Sequence, residues 1–198
     1  MHMTFLGAAG TVTGSKYLLQ HHDHHVLIDC GLFQGYKQLR LHNWDALPFP
    51  IGELDAIVLT HAHLDHSGYL PVLVRNGYRG PVYATPATCD LLKILLLDSG
   101  RLQEEEAEFA NRHGFSKHSP AAPLYTEQDA ERALKLLRPI ELHNRIEIVT
   151  GMTLQLRGAG HILGAATVEV VADGVTLVCS GDLGRPDDPL MFAPETIE

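Results

Sequence analysis

The chain has 198 residues, 45% of them apolar and 20% charged, the balance of an ordinary globular domain, which excludes a disordered or fibrous chain. Its formal charge of −9, with no basic stripe or aromatic-interleaved Lys/Arg cluster, excludes a nucleic-acid-binding footprint of the usual kind. Attraction for a polyanion would have to come from bound cations, two of which would bring the charge to about −5, or from surface outside this chain.

The start, Met1-His2-Met3-Thr4-Phe5-Leu6-Gly7, has no basic segment ahead of an apolar stretch, so no signal peptide is expected. No apolar run approaches the ~20 residues that span a bilayer; the expected location is cytoplasmic, with no membrane partner. Residues 11–20 and 26–30 read as strands around a turn at His21-His22-Asp23-His24-His25. Residues 55–60 form a short apolar run suited to a covered sheet, residues 67–76 read as a helix, and residues 81–84 are a further strand. Helical pattern then covers 86–98, 101–112 with its Glu104-Glu105-Glu106 run, and 126–137, where Thr126 and Asp129 make a near capping box. From Ile146 the pattern is β again, with strands at 154–157, 167–171 and 175–180, the last two joined by Asp173-Gly174. Strands, helices, then strands predict two sheets with helices outside, a four-layer α/β arrangement. Cys30, Cys89 and Cys179 are odd in number and lack Cys-x-x-Cys spacing, which argues against a disulfide framework or thiolate zinc knot. Two of them sit in apolar runs and read as buried thiols.

The chemistry concentrates at strand ends. His61-Ala62-His63-Leu64-Asp65-His66 follows the 55–60 run directly. His61 and His63 are two apart, so an extended backbone points both to one face. Imidazoles and a carboxylate on a strand-to-helix loop are what zinc, and less strictly iron or manganese, prefer. The bland alternative is a His-rich surface loop, against which the spacing weighs strongly. His161 ends the 154–157 strand after Gly158-Ala159-Gly160, and Asp182 ends the 175–180 strand between glycines. Each of these alone is weak. Asp29 ends residues 26–30 in the same way, and a buried carboxylate there needs partners.

In the order Asp29, His61–His66, His161, Asp182, the chain resembles the metallo-β-lactamase superfamily. Its flanking segments resemble the β-CASP branch of RNA-processing nucleases: Gly7-Ala-Ala-Gly-Thr-Val-Thr-Gly14, Asp29-Cys-Gly-Leu-Phe-Gln-Gly35, Leu59-Thr-His-Ala-His-Leu-Asp-His-Ser-Gly68, Tyr78-Arg-Gly-Pro-Val-Tyr-Ala-Thr85, Gly158-Ala-Gly-His-Ile-Leu-Gly-Ala165 and Ser180-Gly-Asp-Leu-Gly184. The segment Gln103-Glu-Glu-Glu-Ala-Glu108 is similar to prokaryotic members. The resemblance implies an αββα sandwich and two divalent metal ions, most simply Zn2+. His61, His63 and His161 would hold one ion, Asp65 and His66 the other, and Asp182 would bridge them. A hydroxide between the cations would attack phosphorus, with Asp65 helping to position that water. Asp29 would orient the histidine loop rather than bind metal. Against the family pattern, the inserted β-CASP domain and a final histidine of the second metal site have no counterpart in residues 1–198. The expectation is therefore an N-terminal portion of the domain, incomplete at its C-terminus, with the second site one ligand short. A homodimer is one way such a fold would be completed.

The resemblance implies a metal-dependent phosphodiesterase acting on RNA. The alternatives are a hydrolase of a thioester or small phosphodiester, or an inert metal-binding scaffold. Other features carry less. The His21–His25 turn reads as a variable exposed loop, with metal binding as its minor reading. Glu104-Glu105-Glu106 with Glu108 reads as a solvated helix face. His113 and His118 are expected to be exposed, and Tyr36 and Trp44 either line a cleft or pack into the core. Gly7-Ala8-Ala9-Gly10 lacks the Gly-Lys-Ser/Thr ending of a phosphate loop.

Overall fold

A computed structural model describes residues 1–197; Glu198, the last residue of the expected 1–198 domain, lies outside the described residues. The first half of the chain builds a six-stranded sheet in the order β1 (His2–Phe5), β2 (Tyr17–His21), β3 (His24–Ile28), β4 (Ala56–Val58), β5 (Val82–Ala84) and β6 (Leu137–Pro139). The first three strands pair antiparallel, and β3 to β6 pair parallel. The later residues form a four-stranded antiparallel sheet of β7 (Ile146–Val149), β8 (Met152–Gly158), β9 (Ala166–Ala172) and β10 (Val175–Cys179).

Strand alternation divides the interior into two cores. Leu27 and Ile57 point to one face of the larger sheet and pack against α3 (Leu70–Arg75), α4 (Pro86–His113) and α5 (Glu127–Leu134). Val26, Ile28, Ala56 and Val58 point to the other face, where they meet Leu154, Leu156, Val168 and Val170 of the second sheet. Helix α4 contributes Cys89, Leu92, Leu96 and Gly100, a stripe at helical spacing. Each wholly buried Leu on it stabilises the fold by about 1.5–3 kcal/mol relative to exposure. The expected α/β sandwich of two sheets and flanking helices is therefore present. Among the described residues the helices flank the larger sheet. The outer face of the smaller one is polar, with Glu169 paired to Arg145 and Arg157 at 2.9 and 3.0 Å.

Several boundaries differ from expectation for local reasons. Residues 11–16 are not strand; they loop inward and bury Ser15 and Lys16. Strands β1 and β6 were not expected. The two helices expected at 86–98 and 101–112 are one, because Gly100 is a packing point rather than a stop. A Cβ there would come within 3 Å of the Thr126 and Glu127 backbone. After the short α1 (Lys37–Leu41), the helix expected at 67–76 is two short ones, α2 (Leu64–Ser67) and α3, separated by Gly68 and Tyr69. Helix α5 has a complete capping box at Thr126 and Asp129 but ends at Leu134, since Leu137 is taken by β6. All three cysteines are buried and free. Burial first of all pushes the Cys89 and Cys179 thiols up to about 11 and that of Cys30 higher still, so all three are inert.

Candidate metal centre

The carboxyl ends of β3 and β4 and the ends of β8 and β10 meet at one edge of the sandwich. Ligand sites in sheets with parallel strands gather at such carboxyl ends. β3 delivers Asp29, and β4 delivers Thr60 and then His61. His63 stands at the N-cap of α2, whose first turn carries Asp65 and then His66. The loop after β8 brings His161, and the loop after β10 brings Asp182. The six residues singled out from the sequence as candidate ligands, and Asp29, converge here.

Thr60 joins the pieces. Its N–H and hydroxyl donate to Asp29 at 2.8 and 3.0 Å, and its carbonyl accepts from the N–H of Ala166 at 2.9 Å. Gly181, at φ +55°, lies so close to the Thr60 side chain that any Cβ would collide with it. One residue thus fixes β3, β4, β9 and the Asp182 loop relative to one another. The hydroxyls of Thr85 and Thr88 donate to the Gly164 carbonyl at 2.6 and 2.9 Å and pin the His161 loop to the start of α4. Sequence reasoning missed Thr60, Ser15 and Lys16; polar residues at the edges of apolar runs were the available signal.

The donor atoms fall into two groups. Nδ1 of His63 lies 3.0 Å from Nε2 of His61 and 3.2 Å from Nε2 of His161. Oδ2 of Asp182 lies 3.9 and 3.5 Å from the same Nε2 atoms of His61 and His161. Protons cannot satisfy three converging ring nitrogens at once. A tetrahedral zinc ion with Zn–N of ~2.0–2.1 Å sets its donors about 3.3–3.4 Å apart, and this cradle fits one. The second group is Nε2 of His66 with Oδ1 of Asp182 at 3.3 Å and Oδ2 of Asp65 at 3.9 Å. Asp182 therefore turns one oxygen to each group.

Burial and charge prepare these ligands. His61 is wholly buried, and burial, then His66, His63 and His161, hold its pKa down at about 2, so the ring is a neutral donor. Burial also lowers His63, reinforced by His161. At His66 burial opposes the charge, but the hydrogen bond to Asp29, with Asp29, Asp182 and Asp65 nearby, outweighs it and raises the pKa. Asp29 sits at φ +57°, an uncommon conformation for a residue with a side chain. It is wholly buried and accepts from Thr60, from Ser15 at 3.2 Å and from His66 at 2.7 Å. Backbone strain held in place by such a network is characteristic of functional sites.

The Asp182 side faces solvent, beside a cleft of about 500 Å³ whose lining includes Ala8, Thr11, Ser15, His66, Ser180 and Asp182. Tyr36 and Trp44 are exposed, 81% and 59%, so neither packs into the core. The adjacent Asn43 is buried instead, exchanging two 2.8 Å hydrogen bonds with the Phe33 backbone. His113 and His118 are exposed as expected. Glu105, Glu106 and Glu108 are solvated, whereas Glu104 accepts from the N–H of Glu127 at 2.9 Å at the start of α5. No helix among the described residues is long and apolar enough to cross a membrane.

A sequence profile of the metallo-beta-lactamase superfamily matches residues 9–196. Among curated proteins, ribonuclease TTHA0252 of Thermus thermophilus is 41% identical over 98% of this chain and 40% of its own length. The transcription termination factor FttA of Methanocaldococcus jannaschii is 37% identical over 92% of this chain and 27% of its own. The chain thus spans less than half the length of either relative. Among solved structures, a metallo-beta-lactamase with the HARLDQ motif from Cronobacter sakazakii superposes with a TM-score of 0.53 at 26% identity, covering 91% of this chain and 60% of that one.

Proposed function

We propose, on the premise that this chain belongs to the metallo-beta-lactamase superfamily, that it carries the dinuclear zinc centre of a phosphodiesterase acting on RNA. The observation that carries this reading is the orientation of Asp182, one oxygen toward His61 and His161 and the other toward His66. His61, His63, His161 and Asp182 would hold one ion, and Asp65, His66 and Asp182 the other. Divalent cations held there would supply Lewis-acid polarisation of the phosphodiester and lower the pKa of a bound water. Asp65, 21% exposed and at the rim of the second group, would help position that water as a hydrogen-bond acceptor. Asp29 holds the His66 ring so that Nε2 faces inward.

RNA as the substrate is supported by the likeness to a ribonuclease and to transcription termination factors. The flanking segments quoted above support the β-CASP branch for this reading. The convergence of all six ligands weighs against an inert scaffold. The test is an assay of the full-length gene product on end-labelled single-stranded RNA and on a thioester, each with chelator and with restored zinc. Cleavage of RNA that chelator stops and zinc restores is expected. Thioester hydrolysis with intact RNA would overturn the substrate assignment while leaving the metal centre standing.

A further inference from the structure

A second group of ligand-type side chains gathers at the opposite end of the sandwich. The strand β3 separates the two ends, so the group lies about 17 Å from Asp29, at ~3.3 Å of rise per residue. Three hairpin tips meet there: His22-Asp23 between β2 and β3, Asp173-Gly174 between β9 and β10, and Thr150-Gly151 between β7 and β8. Nε2 of His21 and Nε2 of His22 lie 3.7 and 3.6 Å from Oδ2 of Asp173, and all three donor atoms fall within 4.8 Å of one another.

Two of the four histidines of this hairpin are engaged elsewhere: His25 is hydrogen-bonded through Nε2 to Gln20 at 2.9 Å, its buried Nδ1 having no partner among the described residues, and His24 approaches Asp55 at 3.3 Å. The side chain of His21 is only 2% exposed, and the group nearest its Nε2 among these donors is Oδ2 of Asp173 at 3.7 Å. Its Nε2 points toward Asp173, and Gly151, which at φ +77° carries no side chain, leaves the space beside that nitrogen open. The left-handed conformations of His22 (φ +51°) and Asp173 (φ +50°) aim both turn residues at the same point.

We propose that His21, His22 and Asp173 form a structural site for a zinc-like divalent cation that ties the β2–β3 hairpin of one sheet to the β9–β10 hairpin of the other. Two imidazoles and a carboxylate are a zinc-type donor set, and tetrahedral coordination needs the two spacings to Asp173 to contract by only a few tenths of an ångström. Three protein ligands leave one position for water on the exposed side. The ion would draw His21, His22 and Asp173 together and fasten the two sheets at the end remote from the candidate catalytic centre. This inference does not depend on the RNA assignment.

The test compares the wild-type protein with His22→Asn and Asp173→Asn, since asparagine tolerates the left-handed turn conformation. Each is equilibrated against buffered zinc, and bound metal is counted per chain across the titration. Each variant is expected to lose one zinc-binding step, or to show it weakened by roughly 100-fold or more, because losing a ligand costs more than the 10–100-fold typical of an outer partner. The remaining steps and RNA cleavage should be unchanged, and zinc should raise the melting temperature of the wild type more than that of either variant. Identical titrations for all three proteins would overturn the proposal. Loss of every zinc step in the variants would also overturn it, because the effect would not be local.

Discussion

Oδ2 of Asp29 accepts a hydrogen bond from Nδ1 of His66 at 2.7 Å, with Asp29 wholly buried. This contact fixes the tautomer of His66 and leaves Nε2 free to face Asp182 at 3.3 Å. On the proposed reading Asp29 would therefore act on metal only through His66, whereas Asp182 faces both donor groups directly. Zinc titration by calorimetry should show a loss of roughly 10–100-fold for Asp29→Ala and a larger loss for Asp182→Ala. Equal losses in the two variants would mean that Asp29 has a different role.

Gly31 lies where the strand that carries Asp29 passes the ligand loop. The N–H groups of Cys30 and Leu32 donate to the carbonyls of His66 and Leu64, each at 2.8 Å. A Cβ on Gly31 would collide with the Asp65 carbonyl. Gly31→Ala should therefore cost about 3 kcal/mol or more and weaken zinc binding, since relief of the clash moves Asp65 and His66. Gly52→Ala, where a Cβ meets nothing within 4 Å, should stay within about 0.5 kcal/mol. Urea unfolding of both variants checks the contrast, and a neutral Gly31→Ala would contradict the packing argument.

Lys16 supplies a pH signature. Its ammonium donates to the Gly31 carbonyl and lies 4.6 and 4.8 Å from the Phe33 and Tyr69 ring centres. Burial lowers its pKa from 10.5 to about 8. Between these values the unfolded chain binds the proton that the folded chain has released, so stability rises with pH across that window. Below about pH 8 both states are protonated, and the folded state bears the full cost of the buried charge. Measured against Lys16→Met, the wild type should gain up to about 3 kcal/mol between pH 8 and 10.5. A stability difference that stays flat across the window would contradict the assignment.

The candidate ligands of the metal centre were legible because each follows an apolar run at a strand end, and the His61–His66 spacing is specific enough to stand without tertiary information. What joins them was not legible. Thr60 looks like one more strand residue until its three separate contacts are seen. Gly100 reads as a helix stop because glycine has poor helix propensity, whereas its value here is the close approach of α4 to the start of α5. Strand β6 is too short to carry a period of its own, and its pairing with β5 is a tertiary fact. The His21–His25 turn was read as a loop because nothing local to it reveals that Asp173, about 150 residues later, arrives at the same hairpin tip.

The central claim is that Asp182 divides its oxygens between two cation positions. Anomalous diffraction at the zinc edge from crystals grown with zinc tests it most directly. At the candidate metal centre two peaks about 3.5–4 Å apart are expected, one amid His61, His63 and His161 and the other against Asp65 and His66, with Asp182 between them, apart from the separate peak expected at His21, His22 and Asp173. Dialysis should remove the second peak before the first, because three imidazoles hold one ion and a single imidazole the other. A single peak shared by all four histidines, or two peaks with Asp182 turned away from both, would contradict it.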